Sequence, residues 1–149
     1  MKKRPRMPIV GAVMTSFPYF VEADDTATKM EQLMDQHGIR HLPVQEKGKV
    51  VGIVSERDLH HYVKRSSAAE EKSRVFARDI MVPEPYIVPF RAPLNDVVFE
   101  MAKRRIGSVI VQRHGKLAGI LSAIDVCRIL GEYLESLFPT GHRGGNTAA

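Results

Sequence analysis

The chain is 149 residues long, 44% hydrophobic and 26% charged, the composition of a folded domain with its own core and not of a disordered tail. Six Phe, four Tyr and no Trp leave that core to aliphatic side chains. The net charge of +5 is modest, and no apolar run approaches the roughly 18 residues a membrane-spanning helix needs.

Four of the 22 cations stand in the opening Met1-Lys2-Lys3-Arg4-Pro5-Arg6. This stretch resembles the basic start of a signal peptide, but Gly11, Thr15 and Pro18 interrupt the apolar segment that should follow. Residues 1–8 therefore read as a flexible, solvated arm, and the cytoplasm is the expected compartment. Such an arm attracts nucleic acid, but no aromatic platforms alternate with its cations, so a nucleic-acid partner is not expected. A lone Cys127 excludes an internal disulfide. Its neighbours Ile124, Val126, Ile129 and Leu130 predict a buried packing thiol.

The first predicted element is a short extended piece, Tyr19-Phe20-Val21, after Pro18. A helix follows, capped by Asp25 or Thr26, with Ala27, Met30, Leu33 and Met34 on its apolar face and Gly38 at its end. Leu42 to Val54 reads as a hairpin turning through Glu46-Lys47-Gly48-Lys49. Ser55 then caps a helix from Glu56 to about Lys64, with Asp58 at its third position. Residues 66–75 are polar and predict a linker.

After the linker the same order returns 67 residues later: Met14 as Met81, Tyr19 as Tyr86, Val44-Gln45 as Val111-Gln112, Gly52 as Gly119, Ser55 as Ser122 and Asp58 as Asp125. Here Pro93 is expected at the first helical position, before Leu94, Val97, Val98 and Met101. Arg105 stands where the first copy has Gly38, so this turn is expected to be made differently or to slide to Gly107. A second hairpin runs from Val109 to Leu121, and a last helix from Ala123 to about Leu137. Residues 139–149 have a composition that need not fold. The predicted fold is α/β (α+β), two β-α-β-β-α repeats at 9–65 and 76–137 packed with pseudo-two-fold symmetry. A unit of that size alone buries too little apolar surface, and duplication supplies the missing cover.

The chemistry concentrates where a strand hands over to a helix. In Gly52-Ile53-Val54-Ser55-Glu56-Arg57-Asp58, free backbone amides and the Ser55 hydroxyl offer donors to an anion. Asp58 offers a carboxylate to a pair of ribose hydroxyls. The same residues serve equally well as plain helix caps, so it is their duplication as Ser122 and Asp125 that points to a ligand. Nucleophile elbows, phosphate-binding glycine loops, paired catalytic carboxylates and metal-ligand clusters are absent from the sequence. His60 and His61, adjacent on one helix, cannot converge on a metal.

Together, Asp79-Ile80-Met81, Arg40-His41-Leu42-Pro43-Val44 and the two Gly-x-x-Ser-x-x-Asp segments resemble the cystathionine-β-synthase-type (CBS) domain family, over residues 9–134. The resemblance implies a stand-alone Bateman module, a pseudo-two-fold disc with two clefts that each draw on both repeats and bind adenosine-containing ligands. One cleft would be anchored by Ser55 and Asp58, with Ile53 beside them and Met81, Pro85, Tyr86 and Ile106 as its wall. The other would be anchored by Ser122 and Asp125 and walled by Met14, Tyr19 and Ile39. Arg40 and His41, joined by Arg57, occupy the positions from which the family reaches phosphate, whereas the second copy has Gly107, Ser108 and Ile124 there. An adenosine-containing ligand is therefore expected, AMP first and otherwise ADP, ATP, NAD or S-adenosylmethionine, with a phosphorylated one at Ser55 and Asp58. The resemblance further implies no catalysis, a regulated partner protein, and a homodimer. Leu33, Met34, Val98 and Met101 are the apolar stripe expected to be left open for that pairing. A protein-interaction module with idle clefts is the alternative.

Overall fold

A computed structural model describes residues 4–139. The expectations for residues 1–3 and 140–149 lie outside the described residues.

After a 3-10 turn at Val10–Ala12 come β1 (Thr15–Ser16), β2 (Val21–Glu22), α1 (Ala27–His37), β3 (His41–Glu46), β4 (Lys49–Ser55) and α2 (Glu56–Tyr62). The second half contains α3 (Ala69–Lys72), α4 (Ala77–Ile80), β5 (Val82–Pro83), β6 (Ile87–Pro89), α5 (Leu94–Arg104), β7 (Ser108–Arg113), β8 (Lys116–Ser122) and α6 (Ala123–Leu137). This is the expected mixed α/β fold.

Two four-stranded sheets form, in the orders β2-β3-β4-β5 and β1-β8-β7-β6. Each contains one strand of the other repeat. β5 pairs antiparallel with β4 through Gly52↔Pro83 and Ile53↔Val82, and β1 pairs with β8 through Thr15↔Ile120 and Ser16↔Gly119. The exchange extends into the cores. Ala77 and Ile80 are buried with the first cluster, among Met30, Leu42, Val54 and Leu59, while Val10 is buried with the second, among Val97, Val109, Val111 and Leu121. Isolated bridges Ile9↔Pro93 and Thr26↔Phe76 are mirror equivalents of each other under the repeat. Neither core is complete without the leading segment of the other repeat.

Local chemistry sets the element ends. Thr26 caps α1, its hydroxyl accepting from the Lys29 amide at 3.3 Å, and Gly38 closes the helix at φ 60°. Both hairpins turn through two residues of positive φ, Lys47-Gly48 and His114-Gly115. That geometry matches the twist of the flanking strands.

Several expectations are corrected. Pro93 is the N-cap of α5 and not its first helical residue, with an extended ψ of 131°. Arg105 neither avoids nor displaces the helix-ending turn; it adopts φ 56° and ψ 42° itself, the left-handed conformation glycine takes in the first copy. The extended pieces begin later than expected, at Val21 and Ile87, and α2 stops at Tyr62. The 66–75 segment carries α3, held to α1 by Lys72 Nζ 2.8 Å from Glu31. Pro8 of the N-terminal arm is docked as well, its carbonyl accepting from the Leu94 amide at 2.8 Å. Met34 and Met101 are buried core residues, and Leu33 and Val98 are partly buried beside them, so they form no open stripe. Cys127 is exposed, because the core-facing side of α6 is that of Val126 and Ile129 and the thiol lies off it.

Candidate functional site

At the β4–α2 junction the Ser55 hydroxyl accepts from the Asp58 amide at 3.0 Å and donates to Asp58 Oδ2 at 2.7 Å. The β8–α6 junction repeats this, with Ser122 and Asp125 at 3.2 and 2.9 Å. One difference separates them. Asp125 Oδ2 also accepts the Ser122 backbone amide at 2.9 Å, closing a full capping box. The Asp58 carboxylate has no such second bond to its cap and is the less committed of the two.

The structure brings His41 and Asp58 to Ser55, with Arg40 and Arg57 on the exposed flanks of the same junction. His41 pairs with Ser55 across β3 and β4, and the Arg40 carbonyl accepts from the Glu56 amide at 2.8 Å. The His41 imidazole is half-buried and reaches the other repeat, its Nε2 lying 3.4 Å from where a Cβ on Gly107 would stand. Burial lowers the His41 pKa from its ordinary 6.5, the Asp58 carboxylate opposes that shift, and Arg40 adds to it. Burial thus favours the neutral imidazole of His41.

Arg40 itself extends into solvent, its Nε 3.6 Å from Glu56 Oε2. Arg57 is also exposed. Glu56 was not foreseen as part of this cluster, although it stands at the first helical position, where carboxylates are favoured. It faces Arg65 at 3.3 Å and His60 at 3.7 Å as well.

The expected walls fall on both sides of the seam. Met81 lies directly over Gly52, so close that a Cβ on Gly52 would come within 2.9 Å of the Met81 Cβ and Cγ. Ile53 pairs with Val82 beside it. Tyr86 and Ile106 pack against the second core, Pro85 is half-buried next to them, and Ser108 pairs with Ser122. For the other cleft, Met14 covers Gly119, Ile39 packs against the first core and Tyr19 is exposed.

Each tyrosine is backed by a residue that sequence reading missed. His37 stacks on Tyr19 at 3.7 Å between ring centroids, and the Arg104 guanidinium lies 4.2 Å from the Tyr86 centroid. His37 and Arg104 are themselves repeat equivalents at the ends of α1 and α5, so the spacing that revealed the repeat also marks this pair. Two cavities, of about 620 and 270 Å³, lie on the outer helical faces and away from both serine turns. Among the described residues, no helix is long and apolar enough to cross a membrane.

Comparison with known proteins places this geometry. The family model for the CBS domain matches residues 10–65 and again 77–132. An uncharacterized protein of Methanopyrus kandleri, MK0525, is 34% identical over 107 residues, covering 70% of this chain and 54% of that protein. The CBS domain-containing protein CBSCBSPB3 of Arabidopsis thaliana is 28% identical over 169 residues, covering 89% of this chain and 30% of its own length. The chain thus spans only part of the curated relatives it matches.

Among solved structures, a Vibrio cholerae protein described as an acetoin utilization protein (AcuB) superimposes with a TM-score of 0.77 at 27% identity, covering 92% of this chain and 100% of that one. The CBS domain pair of MJ0100, solved with 5′-methylthioadenosine and S-adenosyl-L-methionine, has a TM-score of 0.72 at 21% identity, covering 86% and 99% of the two chains. CBSX2, solved with AMP, has a TM-score of 0.71 at 22% identity, covering 83% and 97%. The last two establish likeness of fold.

Proposed function

Because the chain belongs to the CBS domain family, with one domain in each repeat, we propose that it is a regulatory module that binds an adenosine-containing nucleotide and passes its occupancy to a separate partner protein. The favoured ligand is AMP, bound at Ser55 and Asp58, and the module acts in the cytoplasm as a homodimer without catalysing a reaction.

The observation that carries this reading is the inequality of two otherwise matched turns. His41 pairs with Ser55 across β3 and β4, Arg40 precedes it and Arg57 follows Ser55 by two residues, while the equivalent positions by Ser122 are Gly107, Ser108 and Ile124. A phosphate dianion is held best where guanidinium and imidazole donors converge. Asp58, not fully absorbed by its cap, is available to ribose hydroxyls. The Arg40–Glu56 pair is solvent-exposed, so releasing Arg40 to a phosphate costs at most about 1 kcal/mol. That related pairs of the same fold were solved with adenosyl ligands supports the ligand class.

A protein-interaction module with idle clefts is the second reading, favoured by the fact that Ser55 and Asp58 already satisfy each other as caps. Melting curves with AMP, ADP, ATP, NAD, S-adenosylmethionine and adenosine separate the two. At a hundredfold excess over Kd, a ligand stabilises by about 2.7 kcal/mol, a shift of roughly 5–10 °C for a domain of this size. No shift with any of them at millimolar concentration leaves only the interaction module.

A further inference from the structure

Glu56 stands at the first position of α2, directly after Ser55, and faces three basic side chains. Its carboxylate lies 3.6 Å from Arg40 Nε, 3.3 Å from Arg65 Nη2 and 3.7 Å from His60 Nε2. Arg65 is anchored in turn, 3.0 Å from Asp35 on α1, and its carbonyl accepts from Lys72 Nζ at 2.8 Å. The Glu56 carboxylate is thus braced from α1 and from the chain after α2. Arg40 is the loose end of the cluster, its side chain 78% exposed against 30% for Glu56. The two start from one corner all the same, because the Glu56 amide donates to the Arg40 carbonyl at 2.8 Å. The helix dipole alone favours a carboxylate at a helix N-terminus, but that preference asks for no brace. Repeat 2 lacks the whole set, with Ala123, Gly107, Cys127, Glu132 and Ala102 at the equivalents of Glu56, Arg40, His60, Arg65 and Asp35. The carboxylate beside the serine is present only in the repeat that carries the cations.

We propose that Glu56 is a specificity-determining residue of the site at Ser55 and Asp58, one that limits the charge of the nucleotide accepted there. This rests on the nucleotide reading and deepens it. Arg40 and Arg57 against Glu56 and Asp58 leave the junction without net formal charge, and burial favours a neutral His41. An arriving phosphate draws Arg40 away at little cost, since that pair is exposed. Glu56 stays behind, held by Arg65. Its charge then faces the ligand, and the repulsion grows with every charge the phosphates carry. A single phosphate gains more from two guanidinium groups than it loses to one carboxylate. A triphosphate brings charge beyond what those two groups offset. The site is thereby set for a nucleoside monophosphate.

Calorimetry of the full chain with adenosine, AMP and ATP, at low ionic strength and with a chelator to keep ATP free of metal, tests this. Glu56→Gln keeps the length of the side chain and removes its charge. It should tighten ATP about tenfold and AMP about threefold, and leave adenosine within about twofold. Salt at about 0.5 M should shrink both gains. Glu56→Asp, which retains the charge, should keep the wild-type order of the three ligands. Glu132→Gln removes the same charge from α6 and should change none of the affinities, which separates Glu56 from the net charge of the protein. Ligand-free melting curves report the fold of each variant. Unchanged affinities in Glu56→Gln, an equal gain for adenosine and ATP, weaker AMP binding, or the same gain in Glu132→Gln each overturn the inference while leaving the nucleotide reading intact. If neither the wild type nor Glu56→Gln binds any of the three ligands, the nucleotide reading fails and the inference falls with it.

Discussion

Alanine at Gly52 and Gly119 probes the strand exchange that makes two half-cores into one. Neither position needs a positive φ, so the effect of an added methyl is steric. At Gly52 the new Cβ would come within 2.6 Å of Met81 Sδ and 2.9 Å of its Cβ and Cγ, where ordinary carbon contacts lie at about 3.5–4.0 Å. The thioether can swing away, but the Met81 Cβ moves only with the backbone leading into β5. At Gly119 the obstacle includes the Thr15 carbonyl oxygen at 2.7 Å, part of β1 itself. The strand must therefore shift, and its neighbouring bond from the Phe17 amide to the Ala118 carbonyl at 3.1 Å is strained with it. Overpacking costs about 1–3 kcal/mol. Gly52→Ala belongs at the lower end of that range and Gly119→Ala at the upper. With roughly 2–4 °C of melting temperature per kcal/mol, the expected losses are about 3 °C and about 8 °C. Thermal and urea unfolding should agree on that order. If Gly119→Ala melts with the wild type, β1 does not lie on β8, and the exchanged architecture is wrong.

Arg105→Gly should stabilise the protein by about 0.5–1 kcal/mol, because it relieves the left-handed strain at the end of α5; a loss of stability in urea titration would contradict that origin. His41 adds an acid limit. Its folded pKa lies below the ordinary 6.5 because the ring is half-buried, so above that value both states are neutral, and below it the unfolded chain binds the proton more readily. Stability from this residue is therefore fully present above pH 6.5 and is lost as pH falls through the folded pKa, a dependence that His41→Gln should flatten in melts between pH 5 and 8. A phosphate beside His41 should draw a proton onto it, so AMP binding measured in two buffers of different ionisation enthalpy should show net proton uptake that His41→Gln reduces.

Most of the architecture was legible because duplication doubles every weak signal. Ser55 as a cap is ambiguous alone, but Ser122 at the matching place makes the strand-to-helix junction evident. The hairpins and the caps at Thr26 and Gly38 follow from local chemistry that acts within a few residues. What was not legible depends on long-range placement. The transfer of β1 and β5 to the opposite sheets leaves no mark on periodicity, since a two-residue strand carries almost none. Cys127 looked buried because the residues around it are apolar, yet α6 has one sheet to cover and its added length passes beyond it. Met34 and Met101 were misread in the opposite sense, their apolar face being consumed by the cores. At the candidate site, Arg40, His41 and Asp58 were named from motif positions, while the Glu56 ion pairs were not foreseen because they arise from side chains meeting across the β3–α2 corner.

The most direct test of the nucleotide reading is calorimetry of AMP binding to the wild type, Asp58→Ala and Asp125→Ala. Asp58→Ala should lose roughly 2–4 kcal/mol of affinity with the charge-assisted bonds to the ribose, and Asp125→Ala much less, because the positions equivalent to Arg40, His41 and Arg57 are Gly107, Ser108 and Ile124. Each aspartate is also a helix cap whose loss costs about 1 kcal/mol of stability, so ligand-free melting curves of both variants serve as the reference. Near-equal melting temperatures with a large difference in AMP affinity are the predicted result. AMP binding abolished by Asp125→Ala and untouched by Asp58→Ala would contradict the account and move the ligand to the amides around Ser122 and Ser108.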